Sequence, residues 1–206
     1  MKTVAILPIK RFEQAKQRLE GVPERPVLAA EMARAVLRAL AASERLDEVL
    51  VVTADDDAAA DARACGARVV DEGTPLGHSE AALLGIAHTD AGRVLLVPGD
   101  CPLLRPSDVD DLLDRHPEPG VVVVPDRHGA GTNALLLQPP SAISPAFGPG
   151  SRERHARLAR EAGVPVVVDE VLALARDVDT PDDLAVVRAV MNTSVSEDVV
   201  LSDGSQ

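Results

Sequence analysis

Runs of apolar residues alternate along this chain with segments in which apolar positions recur every three or four residues. The continuous runs, rich in Val, Ile and Leu, are typical of strands buried on both faces of a sheet. They predict strands at residues 3–9, 47–54, 67–71, 93–100, 120–126, 132–138 and 164–169. The helical spacing predicts helices at residues 26–43, 55–66, 79–89, 105–116, 151–163 and 180–191. This alternation indicates an α/β fold, with a mostly parallel sheet between helices on both faces.

Residues with cap preferences mark several of the predicted helix ends. Pro26 stands at the start of the first helix, and Gly66 stands at the end of the second. Ser79 is the expected N-cap of the third helix, and Ser107 or Asp108 is that of the fourth. Ligands of such sheets bind at the carboxyl ends of the strands, so functional residues are expected in the loops that begin there.

The length of 206 residues suits one domain, which we place at residues 1–191. Residues 192–206 are polar and aperiodic and are expected to form a disordered tail. The sequence contains neither a signal-peptide pattern nor an apolar stretch of the ~18 residues that cross a membrane. Cys65 and Cys101 are too few for a disulfide framework or a zinc site. We therefore expect a cytoplasmic protein that does not bind membranes.

The net charge of −12 argues against a nucleic-acid partner, because a basic surface is expected there. Trp and Tyr are absent, which also disfavours a base-stacking platform. The charge is uneven, however: the first 25 residues hold six basic and three acidic residues, a net of +3 that leaves −15 for the remaining 181. A small cationic patch on an acidic protein suits a compact polyanion such as a nucleoside triphosphate, although a chance surface cluster would look the same.

The loop after the first strand carries Lys10, Arg11, Lys16 and Arg18 within nine residues. Cations at a strand's carboxyl end can hold a triphosphate and stabilise the charge that builds on leaving pyrophosphate. The sequence contains no GxxxxGK[ST] or GxGxxG motif, so this loop is neither a P-loop nor a dinucleotide fingerprint. These four residues are our candidates for the triphosphate site.

Asp100 ends the buried run VLLVPGD, at the carboxyl end of a central strand. A carboxylate there, in a protein that handles phosphate, is most simply a Mg²⁺ ligand, since hard cations take oxygen ligands and bridge to phosphates. A helix-capping role is the alternative, and Cys101 beside it is expected to pack. Asp177 and Asp179 alternate on an extended stretch and share a face, so they are the candidates to complete a metal site with Asp100.

Two glycine-containing loops could bind an anion, at residues 126–135 and 146–155. Gly148 and Gly150 allow close backbone approach, and Ser151 begins a helix whose free N–H groups would face the loop. Thr132 adds a hydroxyl after the glycines of the first loop. Ordinary turns are the alternative for either loop. The histidines show no metal-ligand spacing and are interpreted as surface or helix residues: His78, His88, His116, His128 and His155.

Five motifs occur in an order that resembles one family: ILPIK with AK and RL after it, PGDCPLL, GTNALLL, FGPGSRERH and DVDTPDDL. Together they resemble the phosphoenolpyruvate/2-phospholactate guanylyltransferases, which make the guanylylated intermediate of the deazaflavin coenzyme F-420. The resemblance runs from Thr3 to about Met191. The FGPGS and GTNAL motifs are fairly specific, whereas GDCPLL is shared more widely among nucleotidyltransferases of the same fold.

The resemblance implies a three-layer nucleotidyltransferase domain of the glycosyltransferase-A type, Mg²⁺-dependent and usually homodimeric. By the matching motifs, Asp100, Asp177 and Asp179 would hold the metal, and Lys10, Lys16 and Arg18 would lie along the GTP phosphates. Thr132, Gly148, Gly150 and Ser151 would hold the phosphate and carboxylate of the acceptor. Lys10, Lys16 and Asp100 are thus the residues expected to carry catalysis.

One segment departs from the family pattern: it reads GHSEAA, where the family reads close to GLNAA. Glu80 stands where an Asn would help to hold ribose or base, so the resemblance specifies the reaction better than the base. Thr53, Gly77, Ser79 and Glu80 complete the nucleotide-binding candidates. The acceptor could be phosphoenolpyruvate, 2-phospholactate or 3-phosphoglycerate. The alternatives to such a guanylyltransferase are a molybdopterin guanylyl- or cytidylyltransferase and a non-catalytic nucleotide-binding subunit.

Overall fold

The computed structural model describes residues 1–16 and 23–187. Within them, the chain forms a seven-stranded sheet in the order β3-β2-β1-β4-β6-β5-β7. The strands are β1 Thr3–Pro8, β2 Glu48–Thr53, β3 Arg68–Asp71, β4 Arg93–Leu96, β5 Gly120–Pro125, β6 Thr132–Gln138 and β7 Val166–Val168. Strand β6 runs antiparallel to both neighbours, and the other pairings are parallel. The predicted mostly parallel sheet is confirmed.

Helices cover both faces of this sheet and give three layers. They are α1 Arg25–Ala41, α2 Asp56–Ala64, α3 His78–Ala87, α4 Pro106–Arg115 and α5 Ser151–Glu161, and residues 181–187 are also helical. Buried side chains of α1, α2 and α4 form one apolar cluster with the sheet, and those of α3 and α5 form another on the opposite face. The predicted α/β class and layer arrangement are therefore confirmed.

Strand β1 lies in the middle of the sheet, and all six of its residues are buried, the first five at most 2% exposed. Burial on both faces explains why its sequence is continuously apolar rather than alternating. Helix α3 packs closely against it: a Cβ on Gly85 would lie 2.5 Å from Cγ2 of Ile6. This close packing holds the amino end of α3 over the carboxyl ends of β1 and β2.

The structure corrects the predicted caps of two helices. Helix α3 has Gly77 as its N-cap, and the Ser79 hydroxyl instead accepts a hydrogen bond from the Phe147 N–H at 2.9 Å. Helix α4 has Arg105 as its N-cap, and Asp108 lies inside the first turn, where its carboxylate accepts from the Arg105 N–H. Ser79 does not cap α3 because its hydroxyl bonds to the distant Phe147. Helix α4 begins earlier than predicted because Pro106 occupies its first position, which makes Arg105 the N-cap.

One further expectation needs adjustment. Strand β4 ends at Leu96, so Asp100 belongs to the turn after the strand and not to the strand itself. The boundary at residue 191 and the expected disordered tail 192–206 lie outside the described residues.

In the described part of the chain, no helix has the length and apolar character needed to cross a membrane.

Candidate functional site

A cleft of about 720 Å³ opens at the edge of the sheet where β1 and β4 end. Because β6 runs in the opposite direction, its first residues, Thr132 and Asn133, lie at this same edge and line the cleft. The lining also includes residues from the loops after β1, β3 and β4, from the start of α3, from the loop before α5 and from the segment after β7: Lys10, Phe12, Gln14, Lys16, Leu76, His78, Asp100, Phe147, Gly148 and Asp179. The cleft thus joins the triphosphate, metal and acceptor candidates.

Lys16 links two acidic segments at the base of this cleft. Its ammonium Nζ lies 2.5 Å from Oδ2 of Asp100 and 3.0 Å from Oδ1 of Asp179. The side chain of Lys16 is only 10% exposed, and its backbone has φ = 54°, in the left-handed region that few non-glycine residues adopt. Such conformations cluster at functional sites. The backbone of Lys16 is consistent with a residue held for function.

The charge of Lys16 depends on these two carboxylates. Burial alone would lower the pKa of Lys16, but the charges and hydrogen bonds of Asp100 and Asp179 outweigh it and raise the pKa above its ordinary value. Lys16 is therefore an ammonium at neutral pH. It is a cation that lies within contact of two acids and lines a cleft large enough for a nucleotide.

Asp177 lies beside this pair but is held by a different partner. Its Oδ1 accepts a hydrogen bond of 3.1 Å from Nδ2 of Asn133, which also donates to the Leu174 carbonyl at 2.6 Å. Burial, followed by the negative charges of Asp100 and Asp179, raises the pKa of Asp177 despite the Asn133 hydrogen bond. The Val178 N–H donates to the Asp100 carbonyl, which brings the two acidic segments together.

The predicted metal ligands are Asp100, Asp177 and Asp179. Among residues 1–16 and 23–187, no three His, Cys, Asp or Glu side chains are grouped so that they could hold a metal ion. Mg²⁺ usually needs only one or two carboxylates, with water and substrate phosphates completing its shell. Asp100 and Asp179 already share one cation, the Lys16 ammonium, so this donor pair fits Mg²⁺. Asp177 as a third ligand stays a prediction.

Arg127 braces the segment that carries Asp177 and Asp179. Its guanidinium forms two hydrogen bonds to Asp183 and a third, at 3.4 Å, to the Asp177 carbonyl. Asp183 also accepts from the N–H groups of Asp179 and Thr180. Burial would raise the pKa of Asp183, but these hydrogen bonds outweigh it and lower the pKa. Asp183 therefore fixes the path of the acidic segment.

On the opposite wall, His155 connects β6 with the glycine loop. It is fully buried, its Nδ1 lies 3.1 Å from Oγ1 of Thr132, and its Nε2 accepts the Ala146 N–H at 2.8 Å. Its ring also contacts Phe147 edge-on, at a centroid distance of 5.2 Å. The interpretation of the histidines as surface or helix residues is incomplete here: His155 is on a helix but in the core, and His78 lines the cleft.

Burial, with a smaller effect of the Arg154 charge, lowers the pKa of His155 from 6.5 to about 4. As the pH falls, His155 therefore binds a proton near pH 6.5 in the unfolded chain but only near pH 4 in the folded chain. We expect the free energy of unfolding to fall by about 3 kcal/mol between these two pH values on account of this residue. Urea unfolding of the wild type and of His155→Gln at pH 7.0 and about pH 4.5 should show a smaller pH-dependent loss in the variant. Equal losses would contradict the pKa shift.

The glycine loop 146–150 lies against the cleft at Gly148, but Gly150 and Ser151 are not among the lining residues. Gly150 is the N-cap of α5 with φ = 70°, a left-handed conformation that glycine adopts at little cost. The first N–H groups of α5 are partly used: Ser151 donates to the Gly148 carbonyl and Arg152 to the Ala130 carbonyl. Ser151 is 1% exposed. Of the four acceptor candidates, Thr132 and Gly148 thus reach the cleft.

The nucleotide-binding candidates likewise divide into residues that line the cleft and residues that do not. Lys10 and Lys16 line the cleft, whereas Arg11, Thr53, Gly77, Ser79 and Glu80 do not. Thr53 is 2% exposed and its hydroxyl accepts the Asp55 N–H. Glu80 is exposed. Arg18 lies outside the described residues.

The cleft also contains residues that the sequence did not single out. His78 and Phe147 meet edge-on at a centroid distance of 4.4 Å, and burial lowers the pKa of His78. Asn133 belongs to the GTNAL motif, and that motif is the sequence feature from which it could have been predicted. Its hydrogen bond to Asp177, however, joins residues 44 positions apart and has no local pattern. The structure thus adds His78, Asn133 and Phe147 to the cleft.

Known proteins resemble this chain in sequence and in fold. A family model described as "Guanylyl transferase CofC like" matches residues 3–198. The phosphoenolpyruvate guanylyltransferase of Conexibacter woesei is 46% identical over 93% of this chain and 89% of its own. The 2-phospho-L-lactate guanylyltransferase of Methanothermobacter thermautotrophicus is 35% identical, covering 89% and 83%. Among solved structures, a nucleotidyl transferase from the same archaeon superposes with a TM-score of 0.66 at 16% identity, covering 94% and 99%.

Proposed function

Because the chain belongs to the CofC-like guanylyl transferase family, we propose that it transfers GMP from GTP to the phosphate of phosphoenolpyruvate and releases pyrophosphate. The family membership establishes a guanylyltransferase. Phosphoenolpyruvate is our proposed acceptor because the bacterial relatives with the higher identities carry that name. The product would serve the biosynthesis of coenzyme F-420.

The observation that carries the proposal is Lys16 between Asp100 and Asp179 at the base of the cleft. In the reaction, an oxygen of the acceptor phosphate attacks the α-phosphorus of GTP, and the bond from that phosphorus to the bridging oxygen of pyrophosphate breaks. A phosphate monoester is already anionic near neutral pH, since its second pKa is about 6. The acceptor therefore needs no general base, and positioning and charge neutralisation supply the catalysis.

The chemical difficulty is that two polyanions must meet. Two unit charges ~4 Å apart repel by roughly 4 kcal/mol at an effective dielectric of about 20. Lys16 and Lys10, which line the cleft, would lie along the GTP phosphates and offset the charge that develops on pyrophosphate. Asp100 and Asp179 would hold Mg²⁺, which supplies further neutralisation of phosphate oxygens when it is bound. Thr132 and Gly148 would contact the acceptor.

The proposed assembly follows from the family resemblance, and the proposed location follows from the sequence pattern; neither follows from the site. We propose a homodimer in the cytoplasm, which size-exclusion chromatography with light scattering and cell fractionation would test.

A single assay tests the reaction. The purified protein is incubated with GTP and Mg²⁺ and with phosphoenolpyruvate, 2-phospholactate or 3-phosphoglycerate in turn, and the product is identified by mass. We expect a GMP adduct of phosphoenolpyruvate and an equal amount of pyrophosphate. ATP and CTP replace GTP as controls, since the Glu80 segment departs from the family pattern. Binding of GTP without pyrophosphate release for any acceptor would indicate a non-catalytic subunit instead.

A further inference from the structure

The two ring nitrogens of His155 have different partners, and together these partners define its tautomer. A backbone N–H is always a donor, so the contact of 2.8 Å from Ala146 makes Nε2 the acceptor. A neutral imidazole carries one proton, which must then reside on Nδ1. The contact of 3.1 Å to Oγ1 of Thr132 is therefore a hydrogen bond that His155 donates and the hydroxyl accepts.

This direction constrains Thr132. Since its oxygen accepts from His155, its own proton must point away from the imidazole. In the described part of the chain, no other hydrogen bond involves the Thr132 side chain, and the residue lines the cleft. The hydroxyl proton is thus available to an oxygen atom bound in the cleft.

We propose that His155 is a positioning residue that fixes the Thr132 hydroxyl as a hydrogen-bond donor to a phosphate or carboxylate oxygen of the acceptor. The proposal rests on the function proposed above, because it names a group that orients the acceptor of that reaction. Without His155, the hydroxyl could rotate and present its lone pairs to the anion, which would repel it.

The same imidazole also holds the other side of the acceptor region. Ala146 begins the loop that brings Gly148 to the cleft, and Arg154 donates to the Ala146 carbonyl at 2.8 Å. Phe147 contacts both His155 and His78. Because one buried ring contacts both Thr132 and this loop, its removal affects both groups that reach the cleft on this wall.

The test compares Thr132→Val, Thr132→Ser, His155→Phe and His155→Gln with the double variant Thr132→Val/His155→Phe. A hydrogen bond to a charged group is lost in Thr132→Val and in His155→Phe, so we expect the KM for phosphoenolpyruvate to rise about 10- to 100-fold in each. The KM for GTP should stay within about 2-fold. The double variant should resemble His155→Phe and should not show the product of the two single effects, because the contact between Thr132 and His155 is already lost in His155→Phe.

The conservative variants separate positioning from mere support. Serine keeps the hydroxyl, and the glutamine amide can both accept and donate, so Thr132→Ser and His155→Gln should recover most of the acceptor affinity. His88→Gln, at an exposed helix end, is the matched control and should behave as the wild type. Independent effects that add in the double variant, or equal rises in both KM values, would overturn the proposal.

A measurement without turnover distinguishes this proposal from the function on which it rests. Long-range ¹H–¹⁵N spectra of the ¹⁵N-labelled wild type should show His155 protonated at Nδ1 and unprotonated at Nε2 at pH 7. The opposite tautomer would overturn the proposal even if GMP transfer is observed. The expected tautomer in a protein that transfers no GMP would instead overturn the proposed function.

Discussion

Asp100→Asn should lower the rate of GMP transfer by about 10²- to 10³-fold, the range seen when one charge-stabilising group of an active site is lost. The Asp100 carboxylate lies in the cleft and contacts the Lys16 ammonium at 2.5 Å. Asparagine is nearly the same size but carries no charge, so the cation site keeps only one of its two carboxylates. The rate is measured as pyrophosphate release at saturating GTP, phosphoenolpyruvate and Mg²⁺.

The control for this variant is Asp114→Asn, because Asp114 lies on α4 outside the cleft, is 55% exposed and pairs with Arg45. It should retain the wild-type rate. Circular dichroism and thermal unfolding of Asp100→Asn should show the native fold. If a folded Asp100→Asn kept near-native turnover at ordinary Mg²⁺, the assignment of Asp100 to the cation site would be wrong.

Lys16→Met should lower kcat roughly 10²- to 10³-fold, because it removes a cation expected to stabilise the leaving pyrophosphate. Methionine retains the apolar stem that fills the 10%-exposed position, so the change concerns mainly the charge. It also leaves Asp100 and Asp179 without their shared ammonium. The reduction should appear in kcat more than in the KM for phosphoenolpyruvate, which single-turnover and steady-state kinetics with GTP would separate.

Lys2→Met is the matched control, since Lys2 lies just before β1 at the other end of that strand and pairs with Glu48 and Asp90. Its kcat should equal that of the wild type. A similar reduction in both variants would mean that net charge, rather than the position of Lys16, determines the rate.

Most of the fold could be predicted because its signals are local. The strand β1 is apolar throughout since both faces are covered, and α5 begins at Ser151 as its glycine-containing approach indicates. The cap of α3 could not be predicted in this way. Ser79 has the right chemistry for a cap, but the Phe147 N–H, 68 residues away, uses its hydroxyl. A contact at that separation has no local pattern.

The candidate site, like the fold, could be predicted only in part. The sequence predicted Lys16 from the basic loop after β1, Asp100 from the end of the β4 run and Asp179 from an extended acidic stretch, and the structure brings these three together. The support around them does not follow from the sequence. Asn133 holds Asp177, and Arg127 holds Asp183, through contacts that depend on how β6 and the 127–131 loop pack against a later segment. Local sequence patterns therefore identified the charged groups but not the residues that orient them.

The reversed strand β6 has a consequence for how this family can vary. Neighbouring residues of a strand face opposite sides, and here Thr132 reaches His155 in one helical layer while Asn133 reaches Asp177 on the other. A shift of β6 by one residue in its pairing register would exchange the two faces, and the tight turn before the strand, where Asp126 accepts the N–H groups of His128 and Ala130, opposes such a shift. Both walls of the cleft would lose their contacts at once. Natural length variation is thus expected to spare this turn and to accumulate elsewhere.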